Sequence, residues 1–248
     1  MTIEKFTEYQ AKLLEVVHPF ILSSIEANRS EFREIVGNTL FDEDGPRNST
    51  SFTRRDEVVS RKLFLDFEEI VGSYLSLRDI EIYIRRFPYR DTGISSLRYL
   101  RYHIESYLNE VYIFKERFET HLAFLERRYQ KSPLNSDISK AVKSLKTLIA
   151  DSLDNIIMTR GEHVHSCRYS DQDLERLSFL YMLSTDNDKG TIFLESYQLS
   201  YKEVRKKWGA RIVSNNDAVE RLFDVCCQKL YSVLFTKEGQ FVFPDDRY

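Results

Sequence analysis

Residues 95–133, SSLRYLRYHIESYLNEVYIFKERFETHLAFLERRYQKSP, decide the fold class. Ile104, Leu108, Val111, Phe114, Phe118, Leu122, Leu125 and Tyr129 recur at steps of three and four, the spacing that puts side chains on one face of an α-helix. Glu105, Asn109, Glu116, Glu119 and Glu126 fall off that stripe. A helix so patterned must bury its stripe against other elements, and Ser132 with Pro133 stops it.

The same periodicity extends outward. Residues 3–27 carry Phe6, Tyr9, Leu13, Val17, Ile21 and Ile25, with Pro19 predicting a kink or break near His18. A second helix from about Asp56 uses Val59, Leu63, Phe67, Ile70 and Tyr74. Residues 79–87 alternate apolar and polar, which suits a short strand or a helix end. Ile138, Val142, Leu145, Ile149, Leu153 and Ile156 mark a helix capped by Asn135 or Ser136 that runs into Arg160 and Gly161. The SDQD of 170–173 resembles a capping box for a short helix ending at Leu183. Two more helices are expected at about 191–212 and 216–235, split by Ser214, Asn215 and Asn216. Turn formers put loops at 37–53 and 185–190 and a turn at 237–240.

The expected fold is all-α, an antiparallel bundle of about seven helices with room for one short β element near 79–87. It reads as a single domain over 1–248, with a secondary division into 1–184 and a C-terminal helical pair at 191–248.

Composition narrows the function classes. Eight glycines and five prolines in 248 residues supply no glycine-rich loop to cradle a phosphate, which removes P-loop and dinucleotide-binding readings. A net charge of -3, from 36 basic and 39 acidic residues, gives no bulk pull toward nucleic acid or membrane, so local patches must carry any such binding. Glu4, Lys5, Glu8, Lys12 and Glu15 break any signal-peptide core, and no apolar run approaches the roughly 20 residues that span a bilayer. Cys226 and Cys227, adjacent in a helical pattern, read as reduced core thiols. The expectation is a soluble cytoplasmic protein with no cofactor.

Chemistry concentrates in residues 160–169, RGEHVHSCRY, which hold two of the five histidines. Three readings apply. On an extended backbone His163, His165 and Cys167 would line up as metal ligands, although no second ligand cluster completes a tetrahedral site. Alternatively, Arg160 holds a phosphate while His165 moves a proton to or from a ribose 2′-hydroxyl, with His163 as helper, which suffices for metal-free RNA cleavage. In a structural reading, Arg160 pairs with Asp154 or Glu162 and caps carbonyls at its helix end while the histidines fill gaps.

Arg160 and His165, four residues between them near the end of a helical bundle, resemble the Arg-x4–6-His motif of the HEPN superfamily of RNases and RNA-binding proteins. The resemblance covers this motif and the helical layout. It implies a ribonuclease site formed by Arg160 and His165, completed across a homodimer, in a protein of bacterial defence or toxin type with a protein partner such as an antitoxin. Arg98 and His103 make a second match to the spacing.

Two further groups stand out. His103, Tyr107 and Glu110 share one helix face, where they either support the site or form a polar seam beside the core. Arg85, Arg86, Arg90, Arg98 and Arg101 are interleaved with Phe87, Tyr89, Tyr99 and Tyr102, a mixture suited to single-stranded RNA. Lys202, Arg205, Lys206, Lys207 and Arg211 around Trp208 read as solvated helix surface, and His18 and His121 as surface or interface histidines. The favoured function is a HEPN-like, metal-independent endoribonuclease or RNA-binding protein. The alternative is a non-enzymatic helical interaction protein in which Arg160 and His165 brace a helix junction.

Overall fold

The computed structural model describes residues 5–27, 55–86, 93–166, 169–185 and 190–244; for 23–27, 55, 160–166 and 190 it describes the backbone alone. The expected loop at 37–53 lies outside the described residues, as does most of the one at 185–190. The fold is all-α. Among the described residues there are six helices: α1 Lys5–Ala27, α2 Arg55–Arg85, α3 Ser96–Arg128, α4 Asn135–Ser166, α5 Gln172–Ser184 and α6 Gly190–Leu234.

Two compact units divide the chain. The first comprises Met1–Glu68, Ala123–Ala141 and Asp224–Tyr248. Its core gathers Tyr9, Leu13, Leu63, Phe67, Leu125, Tyr129, Cys227 and Leu234, each at most 1% exposed. The Tyr9 ring meets Phe67 edge-on at 4.8 Å. The Phe6 amide donates to the Asp224 carboxylate at 3.1 Å, and Tyr129 donates its hydroxyl to the Val242 carbonyl at 2.6 Å. After α6 the chain turns at Gly239, whose φ of 78° suits a residue without Cβ. This turn returns Phe241 to an isolated antiparallel bridge with Phe235.

The second unit comprises Glu69–Leu122 and Val142–Phe223. The α3 stripe is its centre: Ile104, Val111, Phe114, Phe118 and Leu122 are fully buried. Phe223 packs against Phe114 at 5.5 Å and Phe118 at 5.9 Å, both edge-on.

Several sequence expectations need correction. The helices expected at about 191–212 and 216–235 are one helix of 45 residues. Asn216 explains the continuity: it is 1% exposed, and its amide donates to the Leu77 carbonyl and the Glu81 carboxylate, each at 3.1 Å. Arg78 lies beside Asp217 and Glu220, and Tyr74 donates to Glu220 at 2.7 Å. The Asn216 amide nitrogen, which would favour a turn in isolation, is engaged here by tertiary partners.

Among the described residues the count is therefore six helices rather than about seven. No β element forms at 79–85, where α2 continues to Arg85. Leu77, Ile80 and Ile84 are buried at helical spacing, and the apparent alternation came from Ile82, which is 47% exposed.

Three boundaries also move. The helix α1 runs through Pro19 without interruption. The N-cap of α5 is Asp171, one residue beyond Ser170, with its carboxylate accepting from the Leu174 amide at 2.8 Å. The helix α4 continues past Gly161 to Ser166. His121 is fully buried on the α3 stripe, three residues from Phe118 and four from Leu125, rather than at the surface.

Candidate nucleic-acid interface

The α2–α3 junction brings together residues that the sequence holds apart. Ser95 starts α3 by accepting the Arg98 amide on its hydroxyl at 3.2 Å. In the first turns of α3, Tyr99 and His103 stand four apart and therefore on one face. Their rings meet at 4.3 Å and 65°. Two more tyrosines complete the surround: Tyr102 lies edge-on to the imidazole at 5.2 Å, and Tyr83 from α2 is tilted against it at 5.6 Å. The Tyr99 hydroxyl reaches the carbonyls of Tyr83 at 3.1 Å and Arg86 at 3.0 Å. It thereby adds a donor to carbonyls at the end of α2, where the Tyr83 carbonyl also accepts from the Arg86 amide at 3.0 Å.

His103 is 9% exposed. Its Nδ1 is buried and has no hydrogen-bond partner among the described residues. Burial disfavours the imidazolium and holds the pKa below the ordinary histidine value. One turn further along α3, Tyr107 is fully buried, which pushes its hydroxyl pKa well above the tyrosine range. Glu110 is half-buried. Thus His103 and Tyr107 are buried within the second unit, with Glu110 less buried on the same helix face.

The arginines have distinct situations. Arg85 is 3.1 Å from the Glu81 carboxylate, so its charge is partly engaged. Arg86 and Arg98 are exposed. Arg98 lies four residues before Tyr102, on the same helix face. Arg101 donates to the Ser178 hydroxyl of α5 at 2.9 Å. Arg90, like Phe87 and Tyr89, lies outside the described residues. The aromatic character continues along α6, where Tyr197 shares a hydrogen bond with Ser96. Tyr201 carries the Arg205 guanidinium over its ring at 5.6 Å.

Sequence reasoning missed Tyr83 and Tyr201. Tyr83 fell in the stretch read as alternating, and Tyr201 is distant in sequence, so only the tertiary fold reveals either. The second basic cluster is largely engaged. Lys207 pairs with Asp173, Arg211 lies 3.8 Å from Asp171, and the Arg211 guanidinium covers Trp208 at 5.2 Å. Tyr169 meets that indole edge-on at 5.6 Å.

Arg160, His163 and His165 are in the last turns of α4, and their side chains lie outside the described residues. The backbone still constrains the readings. The row of metal ligands required an extended chain, but residues 163–166 are helical. On that helix, positions 160 and 165 are about 140° apart around the axis, while 160 and 163 are about 60° apart. Cys167 lies outside the described residues. Among those described, no group of three or more acidic, histidine or cysteine side chains could hold a metal ion. Cys226, by contrast, is a core thiol whose burial pushes its pKa up to about 12. No helix among the described residues is long and apolar enough to cross a membrane.

Compared with known protein families, with curated proteins and with solved structures, the chain matches none.

Proposed function

We propose that the chain is a HEPN-like, metal-independent endoribonuclease that engages RNA through the α2–α3 junction and cleaves it with Arg160 and His165. One observation carries the RNA-binding half: Arg86, Arg98 and Arg101 stand with Tyr83, Tyr99 and Tyr102 around one junction. Guanidinium groups can hold phosphates, and tyrosine rings offer π-faces to bases. The net charge of -3 makes this local grouping, rather than overall charge, the source of attraction.

The cleavage half rests on the motif resemblance and on the chemistry of its residues. In this reading, His165 takes a proton from the ribose 2′-hydroxyl or gives one to the leaving oxygen, and Arg160 stabilises charge on the phosphate. Because the two positions diverge around α4, the pair acts across two copies of the chain, as the resemblance implies. This reading takes the protein to meet its RNA in the cytoplasm.

The test is incubation of the protein with mixed single-stranded RNA in EDTA, beside Arg160→Ala and His165→Ala. Cleavage by the wild type alone, leaving 2′,3′-cyclic phosphate ends, supports the proposal. Cleavage retained by both variants, or inhibited by EDTA, overturns the assignment.

A specific observation favours a second reading, a helical interaction protein. Phe179, Met182, Ile192 and Leu199 of α5 and α6 are 58%, 59%, 71% and 64% exposed. Apolar groups so exposed suit a protein partner, such as an antitoxin, or a second copy of the chain. In that case Arg160 and His165 brace the end of α4, and both alanine variants lower the melting temperature by several degrees without affecting any RNA.

A further inference from the structure

Tyr102 is 63% exposed, yet its ring is held edge-on against the buried imidazole of His103 at 5.2 Å and 79°. Tyr83, 47% exposed, rests on the same imidazole from α2. The two exposed rings therefore share a common buried support. That support is itself immobilised, since Tyr99 packs on His103 and ties its hydroxyl to the end of α2.

Charge is distributed to match. Arg98 shares the helix face of Tyr102, and Arg86 follows Tyr83 at the end of α2. Neither has a carboxylate partner at ion-pair distance among the described residues, in contrast to Arg85. Exposed aromatic rings held in place, next to arginines without ion pairs, form a surface on which an unpaired base can stack while its phosphates are neutralised. A paired base is already stacked between its neighbours and cannot use such a surface. Pre-set rings also lose little side-chain freedom on binding.

We propose that Tyr102 and Tyr83 form a stacking step for an unpaired base of RNA, with Arg98 and Arg86 holding the flanking phosphates. This rests on the RNA-binding reading and specifies its substrate: single strands, with little preference among bases, because every base has a π-face.

The experiment uses the full chain and a short single-stranded RNA containing one 2-aminopurine. Its riboses are 2′-O-methylated, which removes the hydroxyl needed for internal attack. Binding is followed by anisotropy and stacking by 2-aminopurine fluorescence. The wild type should bind and change the fluorescence. Tyr102→Leu should bind about tenfold more weakly and lose that change, while Tyr102→Phe retains both. An equally tight complex with the corresponding duplex would overturn the proposal. If Tyr102→Leu binds like the wild type, the stacking step is wrong although RNA binding stands. If the wild type binds no RNA at all, the RNA-binding reading falls and the step falls with it.

Discussion

The rings of Tyr99 and His103, one turn apart on α3, meet at 4.3 Å, and the tyrosine hydroxyl is fastened to the carbonyl of Arg86 at 3.0 Å. One side chain thus packs a buried histidine and ends a neighbouring helix. Because burial lowers the His103 pKa, the unfolded chain takes up a proton near the ordinary histidine value of about 6.5 while the folded chain resists it. The stability this contributes is complete above that value and is lost as pH falls through it toward the lowered folded value. Melting curves from pH 7.5 to pH 5 should show a larger drop for the wild type than for His103→Phe. Equal drops would mean that other groups dominate the acid limb.

Asn216 joins α6 to α2 through two hydrogen bonds of 3.1 Å. Asn216→Ala should cost about 1–3 kcal/mol, because it leaves a buried acceptor with fewer donors. The melting temperature should fall by several degrees, and hydrogen exchange should rise near residues 214–217. A rise spread evenly over α6 would argue against a local clasp.

Phe223 fills the space against Phe114 and Phe118. Phe223→Ala should destabilise by about 3–5 kcal/mol, the usual cost of removing a buried aromatic ring. Denaturant titration would measure this, with an unchanged slope separating lost stability from a changed unfolded state. A loss below 1 kcal/mol would show that the surroundings collapse into the gap.

In the first unit, Tyr129→Phe removes the hydrogen bond to the Val242 carbonyl and nothing else. The expected loss is about 1 kcal/mol, with faster proteolysis confined to the segment after α6. Unchanged proteolysis would show that Phe235 and Phe241 alone hold that segment.

Arg98→Ala should weaken single-stranded RNA binding and reduce the slope of log K against log salt by about 0.7, the contribution of one phosphate contact. A variant with weaker binding but the wild-type slope would exclude a phosphate role for this side chain.

The helices were legible wherever apolar residues repeat at three and four and end in buried side chains, as from Ile104 to Tyr129. Reading failed where long-range contacts override local preference. Ser214, Asn215 and Asn216 look like a break, yet Leu77 and Glu81 accept from the Asn216 amide nitrogen on another helix. Ile82 left 79–87 open between a short strand and a helix end, and the structure makes it the helix end, because the burial that separates Ile82 from Ile80 and Ile84 is not written in the sequence. At the α2–α3 junction, the mixture of arginine and tyrosine was visible. That His103 would be enclosed, and that Tyr83 would join it, depended on a meeting between α2 and α3 that no spacing encodes.

The first unit is assembled from segments far apart in sequence: the Phe6 amide finds its acceptor, Asp224, 218 residues later. During synthesis on the ribosome, α1 therefore emerges with its apolar stripe long before residues 224–242 exist to cover it. All segments of the second unit, ending at Phe223, are made before the last segment of the first. Until that last segment is made, α2 covers the α1 stripe only in part, through contacts such as Tyr9 on Phe67, and the uncovered remainder is a natural holding point for a chaperone.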